Sequence, residues 1–130
     1  MGIRIDGGAS QIEIEKTQLA MINGTSIAIP GPASHVRISG VLIDYGTSHG
    51  ISVGTGVTDL LVENTVIGST GGAGIHLEGE STSSSGPVLI RHNTIYRNKV
   101  GIDVVSGMGQ VTIGTPRFSS PLFEYHLGRP

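Results

Sequence analysis

The chain has 130 residues, a formal net charge of −2 and 14% charged residues. That is one domain's worth of protein, without the basic excess of a nucleic-acid binder or the Glu- and Lys-rich faces of a soluble helical bundle. Twenty-one glycines are roughly twice the usual share, but none recurs at every third position, which excludes a collagen-like chain. Cysteine is absent, so disulfides and thiolate metal sites are excluded, and no apolar run approaches the roughly 20 residues of a membrane helix.

In chain order, the first element is the phrase Gly2-Ile3-Arg4-Ile5. It returns as Ser26-Ile27-Ala28-Ile29, Gly50-Ile51-Ser52-Val53 and Gly74-Ile75-His76-Leu77, each 24 residues after the last, and as Gly101-Ile102-Asp103-Val104 after 27. A second row keeps step: Ile12 and Ile14, Val36 and Ile38, Leu60 and Val62, Val88 and Ile90, Val111 and Ile113. A third row is Leu19, Ile43, Ile67 and Ile95. Each row alternates apolar and other residues, and a period of two means strand. Ile and Val fill the apolar positions, as a packed, pleated surface favours. The connections are rich in Gly, Ser, Thr, Asn and Asp, which tolerate turn geometry. Three short strands per repeat of 24 residues predict an all-β, right-handed parallel β-helix of about four to five coils over residues 1–115. Strands then stack at about 4.8 Å, and Ile3, Ile27, Ile51, Ile75 and Ile102 form one interior column.

Three departures from the repeat carry expectations. The spacing from Val62 to Ile90 is 28 residues, so the segment Ser81–Gly86 reads as a loop pushed out of one corner, either a neutral insertion or a wall of a binding groove. After Gly114 the register is expected to stop. Residues 116–130 then form an irregular tail, with Phe118, Leu122 and Phe123 plugging the last coil or docking on a neighbour. The chain opens almost inside a rung, at Ile3. An abruptly ended β-helix exposes unpaired edges, so the expectation is self-association or a missing N-terminal continuation.

Outward positions on the first row run Arg4, Ala28, Ser52, His76 and Asp103, with Glu78 two residues beyond His76. His76 and Asp103 are expected one rung apart. Two carboxyls about 5 to 9.5 Å apart suit glycoside hydrolysis, so Glu78 and Asp103 are a candidate pair and His76 a candidate proton shuttle. His49 falls at a corner, and Tyr45 and Tyr96 lie near strand ends on another face, where an aromatic ring could stack on a sugar. Glu63 and Arg91 share a column and read as a surface ion pair. The same polar positions also fit an ordinary solvated face. The five histidines show no tight ligand spacing, so no metal and no cofactor is expected.

The repeated phrase, with Val62-Glu63-Asn64-Thr65-Val66-Ile67 and Ile90-Arg91-His92-Asn93-Thr94-Ile95, resembles the repeats of the pectin-lyase-like superfamily. That group holds polysaccharide lyases, glycoside hydrolases and phage tailspikes, with substrates lying along one parallel sheet. Ser48-His49-Gly50-Ile51-Ser52-Val53-Gly54 is similar to a segment of polygalacturonases. The rung before it, Ser26-Ile27-Ala28-Ile29-Pro30, carries none of that family's carboxylates, and the rung after it reads Ile75-His76-Leu77 where a basic phrase belongs. The resemblance implies a polysaccharide or oligosaccharide partner, met by Ser52, His49, His76 and Tyr96, with Glu78, Asp103 and His76 as candidate catalytic residues. It also implies an extracellular or virion-associated setting, while the low positive charge and the lack of a long apolar run argue against a nucleic-acid or membrane-inserted role. Two alternatives stand beside it: a self-associating structural rod without catalysis, and a small glycoside hydrolase or polysaccharide lyase.

Overall fold

The computed structural model describes residues 1–77, 88–104, 111–114, 117–118 and 125–127. They wind into stacked coils, each giving one strand to each of three parallel sheets. In chain order the first coil holds β1 (Ile3–Arg4), β2 (Ala9–Glu15) and β3 (Gln18–Ile22). The second holds β4 (Ile27–Ile29), β5 (Ala33–Ser39) and β6 (Leu42–Gly46). The third holds β7 (Ile51–Val53), β8 (Val57–Glu63) and β9 (Val66–Thr70). The fourth holds β10 (Ala73–Leu77), β11 (Val88–Arg91) and β12 (Thr94–Tyr96). Beyond them come β13 (Val100–Val104), β14 (Val111–Gly114), β15 (Arg117–Phe118) and β16 (Tyr125–Leu127). Sheet A runs β1-β4-β7-β10-β13-β16, sheet B runs β2-β5-β8-β11-β14, and sheet C runs β3-β6-β9-β12-β15.

The register is the one the repeat spacing requires. Ile3, Ile27, Ile51, Ile75 and Ile102 stand opposite one another along sheet A. Ile14, Ile38, Val62, Ile90 and Ile113 do so on sheet B, and Leu19, Ile43, Ile67 and Ile95 on sheet C. Ile27, Ile51, Ile75 and Ile102 are fully buried, as are Ile38, Val62 and Ile90, and Ile43 and Ile67. Like therefore stacks on like down the inside of the coil, and each coil buries its apolar face against its neighbours.

The corners follow a second set of columns. Gln11, His35 and Asp59 take left-handed φ values of 56°, 55° and 54°, each in the middle of a sheet B strand. Lys16, Asn64 and His92 do the same between sheets B and C, where Gly40 takes φ 66° on the second coil. Met21, Tyr45, Ser69 and Arg97 do so toward the end of sheet C. A left-handed residue costs roughly 1–2 kcal/mol when it is not glycine. Its recurrence at the same place in successive coils identifies these positions as the bends that turn the chain round the axis.

Ile95 stands opposite Phe118, and Ile102 opposite Tyr125, so β15 and β16 continue sheets C and A by one more strand each. The repeat survives there in backbone pairing although its spacing shifts, because a parallel ladder needs only extended backbone in register. The plug expected of Leu122 and Phe123, and the corner loop Ser81–Gly86, lie outside the described residues.

Candidate functional site

Sheet A turns one polar column outward. Ser52, His76 and Asp103 stand opposite one another on β7, β10 and β13, with the buried Ala28 preceding them on β4. Their direction is fixed by what flanks them: Ile51 and Val53, Ile75 and Leu77, and Ile102 are fully buried, so the residue between or beside them must face out. His76 Nδ1 lies 2.9 Å from Asp103 Oδ2, with the two side chains 16% and 22% exposed. An ionised carboxylate only accepts, so Nδ1–H donates, and in the neutral ring Nε2 is then the basic nitrogen.

His49 joins them from the corner before β7. Its ring lies parallel to that of His76, with centroids 4.4 Å apart and planes 3° from parallel. Its Nδ1 accepts the backbone N–H of Ala73 at 3.0 Å. That nitrogen therefore carries no proton, and the neutral ring holds its proton on Nε2. The chain makes room for this ring with Gly72, where a Cβ would come within 2.7 Å of His49 Nδ1. With both rings neutral, these bonds set opposite tautomers side by side. Such a carboxylate–imidazole pair can take a proton from a substrate and return it.

The profile of a family described as a right handed beta helix region matches residues 1–118. The chain belongs to this family. No curated protein and no solved structure matches it significantly. The family fixes the right-handed β-helix, and the chemistry has to be read from the faces of this coil.

Of the residues expected to form a site, this right-handed β-helix brings His49, Ser52, His76 and Asp103 onto one face. Glu78 lies outside the described residues. Tyr96 is elsewhere, on sheet C, in the column Asp44, Gly68, Tyr96. Its ring lies across Gly68, where a Cβ would fall 2.1 Å from the ring carbon Cζ, and its hydroxyl donates to Asp44 Oδ1 at 3.2 Å. The ring therefore bridges two coils. Burial, helped by the Asp44 charge, pushes the phenol above its ordinary value of 10.0. Near it, Met21 and Tyr45 are 83% and 60% exposed and line a shallow groove of about 250 Å³ with Ile22, Asn23 and Thr47.

The family's ladder logic recurs on sheet B with charges. Glu63 Oε1 accepts from Arg91 Nε at 3.0 Å and its Oε2 from Arg37 Nη2 at 3.1 Å, while Arg37 Nη1 reaches Glu13 Oε2 at 3.3 Å. The expected Glu63–Arg91 pair is present. Glu63 itself is not a surface group, since its side chain is 10% exposed. The Arg91 hydrogen bond, with Arg37 adding to it, holds the carboxyl below its ordinary value of 4.5 against the opposing effect of desolvation.

Two buried asparagines hold the corners of sheet C. Asn93 accepts from Thr65 N–H at 3.0 Å and donates to the Val62 carbonyl at 3.1 Å. Asn98 accepts from Thr70 N–H at 3.0 Å and donates to the Ile67 carbonyl at 3.2 Å. Asn98 escaped the reading of the sequence. The signal was its position: a second asparagine five residues after Asn93, at the next corner of the same coil. Among the described residues no group of three His, Cys, Asp or Glu could hold a metal ion.

Proposed function

We propose that the outer face of sheet A binds a polysaccharide lying along the coil axis. The observation that carries this reading is the gathering of His49, Ser52, His76 and Asp103 on one face of a parallel sheet. A hydroxyl, a carboxylate and imidazole edges offer donors and acceptors to sugar hydroxyls, and stacked rings offer an apolar surface to a pyranose face. The sheet repeats about every 4.8 Å, so a polymer running along the axis meets the same column on successive coils. On the other two sheets the Tyr96 hydroxyl is bonded to Asp44 and the Glu63 carboxylate to Arg91.

The test is hydrogen exchange with a panel of neutral and uronic oligosaccharides. Binding predicts that at least one sugar slows exchange in β7 and β10, and that His76→Ala removes this protection. A structural rod that binds no glycan predicts no protection by any sugar, with self-association in sedimentation, and that result overturns the reading.

A further inference from the structure

Asn23 and Gly24 form the bend between β3 and β4, and Thr47 stands one coil on, 24 residues after Asn23. The Gly24 N–H donates to Thr47 Oγ1 at 2.7 Å, and the same hydroxyl donates to Asn23 Oδ1 at 3.2 Å. We propose that this corner is a self-modification site: the Gly24 nitrogen displaces ammonia from the Asn23 side chain while the Thr47 hydroxyl relays the protons. This chemistry needs no glycan. Glycine has no Cβ to hinder the approach of its own nitrogen to the preceding side chain, and at φ 105° Gly24 holds a conformation that other residues rarely adopt. An Asn-Gly pair alone is common. What sets this one apart is a hydroxyl that touches both the nitrogen that attacks and the oxygen on which charge develops. A group so placed can take one proton while giving another. The backbone clamps it there. Thr47 N–H donates to the Ile22 carbonyl at 3.1 Å and Ser48 N–H to the Gly24 carbonyl at 3.3 Å, on either side of Asn23. Asn23 and Thr47 are exposed, so water reaches the bend and ammonia can leave it.

The atoms balance with water as the co-reactant. The Gly24 nitrogen bonds to Asn23 Cγ as its proton passes to Thr47 Oγ1, whose own proton passes to Oδ1. The bond from Cγ to Nδ2 then breaks, the Oδ1 proton moves to the departing nitrogen, and ammonia leaves. A succinimide ring remains. Water adds to one of its carbonyl carbons and breaks that carbon's bond to the Gly24 nitrogen. Opening at Cγ gives aspartate, and opening at the main-chain carbonyl gives isoaspartate. Either product adds a negative charge to the corner. Isoaspartate also lengthens the main chain between the Ile22 and Gly24 carbonyls, both of which the second coil holds, so it loosens the first coil from the second.

The experiment incubates the full chain in neutral buffer made with oxygen-18 water, native and unfolded in urea. Mass spectrometry follows the tryptic peptide Thr17–Arg37, in which Asn23 is the only asparagine. The expected result is ammonia release with heavy oxygen at Asn23, and faster conversion in the native chain than in the unfolded one. Electron-transfer fragmentation should resolve aspartate and isoaspartate at that position. Thr47→Val should slow native conversion by about tenfold, less than a fully enclosed acid–base group supplies, and leave the unfolded rate unchanged. Thr47→Ser should keep the native rate. A native chain that converts no faster than the unfolded one overturns the proposal, as does a folded Thr47→Val chain that converts as fast as the parent. If Thr47→Val does not fold, the native and unfolded rates of the parent decide the matter alone.

Discussion

On sheet B the carboxylate of Glu63 lies between two guanidinium groups, 3.0 Å from Arg91 and 3.1 Å from Arg37. On sheet A the imidazole of His76 lies between the carboxylate of Asp103 and the face of His49. Both arrangements come from the same device, polar residues brought together by parallel register on adjacent coils. They differ in what the column leaves over. Permanent ions of opposite sign neutralise one another, so the sheet B column holds coils together and does no proton chemistry near neutral pH. Histidine is the side chain whose protonation changes most readily near neutrality, and a carboxylate on one of its nitrogens selects which nitrogen reacts. The same stacked geometry thus gives a neutralised ion column on one sheet and a histidine–carboxylate pair on another, and the residue types decide which.

Substitutions should separate the two faces. Ser52→Ala should give the largest effect, a loss of the oligosaccharide protection of β7 and β10, with unfolding free energy in urea within about 0.5 kcal/mol of the parent. A matching loss of stability would mean that sheet A is a fastener too. Next is Asn98→Ala, which strips partners from the buried Thr70 N–H and Ile67 carbonyl. It should cost about 2 to 3 kcal/mol in urea unfolding and leave the oligosaccharide protection of sheet A in the folded fraction unchanged.

Glu63→Gln should cost about 1 to 2 kcal/mol at pH 7, since the carboxylate is shielded while its arginine partners are 43% and 50% exposed. The pH dependence has a definite sign. The folded chain holds Glu63 below its ordinary value of 4.5, so the folded state favours the ionised form. The contribution is complete above pH 4.5 and is lost as pH falls through the lower folded value. Urea midpoints of the parent and of Glu63→Gln should therefore differ at pH 7 and converge on acidification, and a constant difference would contradict the assignment. The smallest effect is expected at Glu13→Gln. It loosens an exposed pair at 3.3 Å and should change stability by less than about 0.5 kcal/mol, measured in the same unfolding series.

Much of this architecture was legible before any coordinates, because a coil of fixed length turns sequence spacing directly into spatial neighbours. Ile27, Ile51 and Ile75, each 24 residues apart, had to stack once the chain wound round an axis. The same reasoning placed His76 beside Asp103 and Glu63 beside Arg91. It was blind to side chains that leave their own register. Tyr96 reaches Asp44, two coils away, because Gly68 between them leaves a flat bed for the ring. His49 stacks on His76, three positions out of register with it, because Gly72 admits its ring at the corner. The continuation of sheets A and C through β16 and β15 was hidden for another reason. Backbone pairing carries no side-chain pattern of its own, and the expected spacing changes after Gly114.

The arrangement of the sheet A site is tested most directly by nitrogen-15 NMR of the imidazole rings at neutral pH. His76 should show a protonated Nδ1 bonded to carboxylate, and His49 an unprotonated Nδ1 accepting from the Ala73 amide, with ring protons of both shifted by the stacked partner. Two histidines averaging freely between tautomers, without mutual ring shifts, would contradict the site and the glycan reading built on it.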